Sequence, residues 1–253
     1  AGSRRVRLGF GLDLAGYSTG KSSLACALFA ETGLKIVLLQ DSPFSLKVPS
    51  NSNRVGVEQR EGACLAQLLK LGNLAADVPI DLQGLPFSPT SAFVWGRTKR
   101  PVDVAVGGLP PLADKIGAIV SRFRAAVEAA DAGSLLGERP FETYPAVTFS
   151  HLGIVTRGYK SIENRGLRAE VCSKIGFQAA EITDDEIDAV ICAITAIASA
   201  DLVIQTTGLI DIIRKKCGEA STPKGYRLLA ALPATPITIE RQDYSEWMSA
   251  YAN

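Results

Sequence analysis

The segment from Thr183 to Ala196 constrains the fold most, because it places charge at one end of a helix that is otherwise apolar all round. At about 100° per residue, its isoleucines line one side, and its alanines with Cys192 line the other. A helix of this kind normally lies inside a protein. Asp184, Asp185 and Asp188 at its start therefore meet an edge of the core, where buried carboxylates need compensation such as a metal ion.

Part of this charge has a purely structural explanation. Thr183 followed three residues later by Glu186 predicts a capping box, and the helix dipole favours Asp184 and Asp185 in the first turn. Asp188 lies one turn further in and is not explained by capping. We therefore interpret Asp188 as a candidate functional residue and keep both interpretations for Asp185.

Overall composition excludes several classes of protein. The chain has 253 residues and a net charge of +1, so no general basic field indicates nucleic-acid binding. We expect a single domain over residues 4–253 with a packed core. The apolar runs are too short to span a bilayer, and no membrane partner is expected. The sequence does not indicate an oligomeric state.

The cysteines and the histidine narrow the chemistry. The five cysteines form no CxxC pair and their number is odd, which predicts reduced thiols and a cytoplasmic location. His151 is the single histidine, so a multi-histidine metal site is excluded. A metal here would have oxygen ligands, which suits Mg²⁺ or Mn²⁺.

The first part of the chain predicts an antiparallel meander. Residues 5–13 alternate apolar and polar or small side chains, and residues 23–30 and 34–39 are further apolar runs separated by a turn signal. Further strands are predicted at residues 78–81 and 139–147. Helices are predicted at residues 58–71, 113–130, 167–175 and 184–199.

Two regions are predicted to lie outside this core. Residues 87–111 are rich in proline, glycine and basic residues and are interpreted as a loop or lid insertion. Residues 201–253 are expected to form a peripheral extension, with a helix at about 210–216 and a strand pair formed by residues 228–232 and 237–240.

Acidic residues end three of the predicted strands: Asp13, Asp81 and Glu142. Such residues are often turn formers. If they converge on the start of the apolar helix, near Asp185 and Asp188, they would provide what two-metal phosphoryl chemistry needs, namely several carboxylates around two Mg²⁺ ions.

Gly9 and Gly11 share the face of Asp13 in the first strand, and the apolar helix has a face of small residues. Both features allow close approach of two backbones. We therefore expect this helix to pack on the first strand and to bring Asp185 and Asp188 towards Asp13.

Several motifs together resemble one family. They are Gly9-Phe-Gly-Leu-Asp13-Leu-Ala-Gly16, Ile80-Asp-Leu-Gln-Gly-Leu-Pro86, Arg100-Pro-Val-Asp103, Glu142-Thr-Tyr-Pro-Ala-Val-Thr-Phe149, Lys160, Arg168 and Asp184-Asp-Glu-Ile-Asp-Ala189. Their order and spacing resemble the predicted RNase H-like nucleases, domain-of-unknown-function family 429, from about residue 6 to residue 200. The Asp185–Asp188 pair also resembles the last motif of RuvC-type resolvases.

The resemblance implies an α/β fold with an RNase H-like core. This core would be a mixed five-stranded sheet that begins with an antiparallel meander, with helices on both faces and extra C-terminal elements. It implies Asp13, Asp81, Asp185 and Asp188 as metal ligands, with Glu142 as a further acidic site residue. The expected function is a divalent-metal-dependent nuclease acting on a nucleic acid or nucleotide.

Basic residues would contact the substrate phosphates in such an enzyme. Arg97 and Arg100 lie in the predicted loop and are assigned this role. Lys160 and Arg168 are further candidates, although a loop and a helix surface would place both in solvent without any function.

Three other functions compete with the nuclease. Residues 15–22 fit a permissive P-loop pattern, but the following apolar run is short and indicates a strand where a P-loop needs a helix. An actin-like or sugar-kinase-like ATPase shares the core but needs a second copy of it, and no second phosphate loop is visible. A catalytically silent RNase H-like scaffold would bind its partner without cutting it, but uncompensated carboxylates would then cost stability.

Overall fold

The computed structural model describes residues 8–30, 33–49, 53–80, 103, 116–154, 159, 165–176, 182–198, 202–204, 211 and 225–251. Within these residues the chain has a mixed α/β fold with eight strands and six α-helices. The predicted loop at 87–111 and the helix at about 210–216 lie outside the described residues, apart from Asp103 and Asp211.

The strands are β1 (Leu8–Asp13), β2 (Ser23–Ala30), β3 (Gly33–Gln40), β4 (Gly72–Ala76), β5 (Phe141–Glu142), β6 (Val203–Ile204), β7 (Leu228–Leu229) and β8 (Ile237–Asp243). The α-helices are α1 (Val55–Leu71), α2 (Gly117–Ala129), α3 (Pro145–His151), α4 (Arg165–Lys174), α5 (Asp184–Ile197) and α6 (Tyr244–Tyr251). None of these helices is both long and apolar enough to cross a membrane.

The central sheet has six strands in the order β5-β4-β1-β2-β3-β8. β1, β2 and β3 form the predicted antiparallel meander. β4 pairs parallel to β1, and β5 pairs parallel to β4. The prediction of five strands was wrong because β8, from the C-terminal region, adds a parallel strand beside β3.

The alternation in β1 places its two sets of side chains on opposite faces of the sheet. Leu8, Phe10 and Leu12 are buried in one apolar cluster with α1 and α2. Gly9 and Gly11 face the other side, where α5 contributes to a second cluster together with α3 and α4. Helices therefore cover both faces, and Asp13 continues the face that carries α5.

Several predicted elements need correction. Residues 78–80 are not a strand; the strand in this region is β4, which ends at Ala76 because its pairing with β1 stops at Leu12. The predicted strand at 139–147 is only two residues long, and Pro145 begins α3, where proline is well tolerated at a first helical position.

The C-terminal strands also differ from the predicted pairing. β7 pairs with β6, and β8 joins the central sheet, so they do not pair with each other. The run that follows residue 22 is a strand, as predicted, and the P-loop interpretation fails because a P-loop lysine and serine would begin a helix.

Candidate functional site

The contact between β1 and α5 is unusually close. A Cβ added at Gly11 would overlap the carbonyl oxygen of Ala189 and the backbone nitrogen of Ala193. A Cβ added at Gly9 would lie 2.7 Å from the backbone nitrogen of Ile197. The two backbones are therefore in direct contact, which confirms the predicted packing.

This contact places Asp13 beside the first turns of α5. From Gly9 to Gly11 the facing helical residues move from Ile197 to Ala189, towards the helix N-terminus. Two residues along a strand and roughly one helical turn cover similar distances. The next residue on the same face of β1 is Asp13, which is therefore level with the acidic start of the helix.

Asp188 is buried and accepts a hydrogen bond in this region. The Tyr159 hydroxyl donates to Asp188 Oδ1 at 2.8 Å. Tyr159 is itself buried, with its ring 5.3 Å from that of Phe149 in an edge-to-face contact. The carboxylate of Asp188 is thereby held in one orientation.

The pKa of Tyr159 shows which other charges are near. Burial raises this pKa most, and the carboxylates of Asp188, Asp77 and Asp13 raise it further. The hydroxyl therefore keeps its proton and acts as a donor. The carboxylates of Asp188, Asp77 and Asp13 are thus near enough to this buried hydroxyl group to raise its pKa.

Asp77 is the acidic residue that the sequence reasoning missed. It directly follows β4, and its backbone N–H donates to the carbonyl oxygen of Leu12 at 2.9 Å. Asp13 and Asp77 therefore leave neighbouring parallel strands at the same edge of the sheet. Asp81, the residue that the sequence predicted at the end of this strand, lies outside the described residues.

Glu142 lies at the same edge but is held by main-chain contacts. It is buried at the end of β5, opposite Ala76 in β4. Its Oε2 accepts from the backbone N–H of Ile80 at 2.9 Å. This bond holds the segment that follows β4 in place. Glu142 therefore has a structural role.

The first turn of α5 has the predicted capping box. The backbone N–H of Thr183 donates to Glu186 Oε2 at 2.9 Å, and the backbone N–H of Glu186 donates to Thr183 Oγ1 at 3.2 Å. Glu186 also pairs with Arg241 at 3.0 Å. Glu186 is therefore explained by structure alone.

Arg168 lies close to this turn. Its guanidinium is 3.7 Å from Asp184 Oδ1, and both side chains are largely shielded from solvent. Arg168 therefore compensates the charge of Asp184 in the structure. The other basic candidates, Arg97, Arg100 and Lys160, lie outside the described residues.

A cavity of about 410 Å³ opens at this end of α5. Asp184 and Asp185 line it from the helix, Lys21 and Ser22 from the segment before β2, and Gln40 from the end of β3. Asp185 is half-buried, so the cavity gives it access to solvent and to a ligand.

The donor chemistry of these residues fits a hard divalent cation, because their side chains offer carboxylate oxygens. In the part of the chain that the structure describes, no three His, Cys, Asp or Glu side chains form a ready-made metal site. Mg²⁺ is usually bound by one or two carboxylates, its own waters and substrate phosphates rather than by a full protein cage. The pair formed by Asp13 and Asp77 fits that mode of binding.

A comparison with protein families matches part of the chain. A family model described as "Protein of unknown function (DUF429)" matches residues 111–206. The match covers less than half of the chain, so the chain is similar to this family over these residues. The matched region includes Glu142, Arg168, Asp185 and Asp188, and it does not reach Asp13 or Asp77. No curated protein and no solved structure matches the chain.

Proposed function

We propose that this protein is a divalent-metal-dependent phosphodiester hydrolase with an RNase H-like core. The observation that carries the proposal is the placement of Asp13 and Asp77 at the ends of adjacent strands, near the buried Asp188 that the Tyr159 hydroxyl contacts. A cluster of buried or half-buried carboxylates is costly unless a cation compensates it. The resemblance of the motifs to RNase H-like nucleases gives the reaction class.

The sheet supports the same proposal. A meander of three strands, continued beyond β1 by the parallel strands β4 and β5, fits the five-stranded core that the resemblance implies. In this interpretation β8 is an addition at the outer edge of the meander.

Each residue has a distinct role in the proposed site. Asp13 and Asp77 extend from adjacent strands and would hold Mg²⁺ or Mn²⁺ together with its waters, and Asp185 would face the substrate from the cavity. Tyr159 keeps Asp188 in one orientation and remains neutral. When bound, the cation would lower the pKa of the attacking water and stabilise the leaving oxygen.

The substrate would be a nucleic acid or a nucleotide in the cytoplasm. The net charge of +1 makes general attraction to polyanions weak, so binding would depend on local groups near the cavity. Basic residues of the predicted loop, including Arg97 and Arg100, are proposed to contribute such contacts.

The test is metal-dependent cleavage by the Asp13→Asn and Asp77→Asn variants. Labelled single-stranded DNA and RNA would be incubated with wild-type protein and Mg²⁺ or Mn²⁺, and with excess chelator. We expect cleavage by wild type only with metal, and none by either variant. Glu128→Gln, an exposed carboxylate on α2, is the matched control and should cleave as wild type does.

The melting temperature provides a second readout. Removing one of several clustered carboxylates relieves repulsion, so without metal Asp13→Asn should melt at or above the wild-type temperature. Mn²⁺ should stabilise wild type and leave Asp13→Asn unaffected. Unchanged cleavage by Asp13→Asn would exclude the mechanism, whereas wild-type binding without cleavage would favour the silent scaffold.

A further inference from the structure

A buried ion pair lies on the face of the sheet opposite α5. Arg122 of α2 and Glu61 of α1 are both fully buried, and the guanidinium donates twice to Glu61 Oε1, from Nε at 3.0 Å and from Nη2 at 2.5 Å. A charge in such a position persists only when paired and hydrogen-bonded. The other hydrogen bonds of Arg122 therefore show which parts of the chain this ion pair holds in place.

The other residues that Arg122 contacts all lie at the same edge of the sheet as Asp13. Arg122 Nη1 donates to the carbonyl oxygen of Ala15 at 2.6 Å and to Ser22 Oγ at 3.2 Å. Its Nη2 donates to the carbonyl oxygen of Phe44 at 2.7 Å. The ring of Tyr17 lies against the same guanidinium, 4.4 Å from its central carbon.

These contacts hold both ends of the loop that joins β1 to β2. Ser22 Oγ also accepts from the backbone N–H of Ala15 at 3.0 Å, which closes the loop at its base. β1 ends at Asp13 and β2 begins at Ser23, and these two residues pair with each other. The loop held by Arg122 therefore begins directly after one candidate metal ligand.

Lys21 belongs to this loop and directly precedes Ser22, one of the residues that Arg122 contacts. Its side chain is exposed, it lines the cavity that Asp184 and Asp185 also line, and it has no ion pair among the described residues. Arg168, in contrast, is already paired with Asp184. Lys21 is thus a cation placed at the cavity without a protein counter-ion in the described part of the chain.

We propose that Lys21 binds a phosphate group of the nucleic-acid substrate and that Arg122 is the positioning residue that holds its loop in place. This inference rests on the proposed function and specifies how its substrate is bound. The planar guanidinium suits the positioning role because it bonds to three segments and to Glu61 at once, which a lysine ammonium cannot reproduce.

Binding is measured separately from cleavage to test this inference. Fluorescence anisotropy would follow labelled single-stranded DNA and RNA in Ca²⁺, with wild type, Lys21→Ala, Arg122→Lys and the double variant. Loss of one phosphate contact should reduce the slope of log K against log salt by about 0.7. Lys70→Ala, which removes an exposed lysine of α1, should leave the slope unchanged.

The double variant distinguishes positioning from general destabilisation. If Arg122 acts through Lys21, the double variant should bind no more weakly than Lys21→Ala alone, because the effects are coupled. Hydrogen exchange of residues 14–22 should be faster in Arg122→Lys, while α5 exchanges as in wild type. Additive binding losses, or unchanged loop exchange in a folded Arg122→Lys variant, would overturn the positioning role.

The outcomes also separate this inference from the proposed function. Wild-type protein that binds neither oligonucleotide would overturn a nucleic-acid substrate and the role of Lys21 together. Wild-type binding that Lys21→Ala leaves unchanged, in affinity and in salt slope, would overturn the present inference alone. Arg122→Lys is the variant more prone to misfold, and Lys21→Ala, on the surface, provides the independent test.

Discussion

Replacing Gly11 by alanine should strongly destabilise the protein, because the added methyl group has no space. It would overlap two backbone atoms of α5, the carbonyl oxygen of Ala189 and the nitrogen of Ala193. Backbone atoms of a buried helix cannot rotate away as a side chain can. Overpacking costs about 1–3 kcal/mol and occasionally more, so we expect about 3 kcal/mol here.

Thermal unfolding would measure this cost. For a chain of this size, each 1 kcal/mol shifts the melting temperature by roughly 2–4 °C. Gly11→Ala should therefore melt about 6–12 °C below wild type. Gly16→Ala is the matched control, because a Cβ at Gly16 has no atom within 4 Å, and it should change stability by less than about 0.5 kcal/mol.

The comparison of these two variants has a clear refuting result. If Gly11→Ala melts at the wild-type temperature, β1 and α5 are not in backbone contact, and the placement of Asp13 beside the acidic start of α5 fails with it. Hydrogen exchange should also be faster across α5 in Gly11→Ala and unchanged in Gly16→Ala.

Two further predictions concern buried tyrosines. Tyr159→Phe removes the donor to Asp188 and should lower the free energy of unfolding in urea by about 1–3 kcal/mol. The loss should be smaller when Asp188 is already asparagine. An equal loss in both backgrounds would contradict the contact. Burial, with Glu61 and Glu58, raises the pKa of Tyr17 to about 12, so its stabilising contribution is complete below pH 10 and is lost as the pH rises towards 12. Tyr17→Phe should flatten this alkaline loss in urea unfolding between pH 9 and pH 11, and a fall as steep as that of wild type would refute the assignment.

Local patterns predicted those features that depend on neighbouring residues. The alternation in β1, the meander and the capping box at Thr183 each follow from side chains within a few positions. The packing of α5 on β1 was also predictable, because Gly9 and Gly11 leave a surface that only another backbone can fill.

Features that depend on distant pairing were not predictable in the same way. β4 begins with Gly72 and Asn73, residues that are poor strand formers, and it is a strand because β1 pairs beside it. Val78 and Ile80 are better strand formers, so the predicted strand ended at Asp81, which lies outside the described residues. Asp77 was missed for this reason.

The C-terminal region shows the same limit. The alternation in β8 predicts a strand whether its partner is β7 or β3. The sequence alone does not determine which of the two it pairs with. The ion pair between Arg241 and Glu186 links this strand to the cap of α5. A peripheral strand pair was predicted, whereas the strand contributes to the sheet that carries the candidate site.

The carboxylates at this end of α5 differ in the groups that they contact, and this difference bears on function. Glu186 and Asp184 are paired with arginines, and Glu142 bonds to the main chain. Asp188 is held by a neutral tyrosine, which supplies a hydrogen bond but no positive charge. Asp13 and Asp77 add further negative charge around that tyrosine. Like charges within such a group repel one another, so a bound cation would stabilise the group, which is the role proposed for the metal.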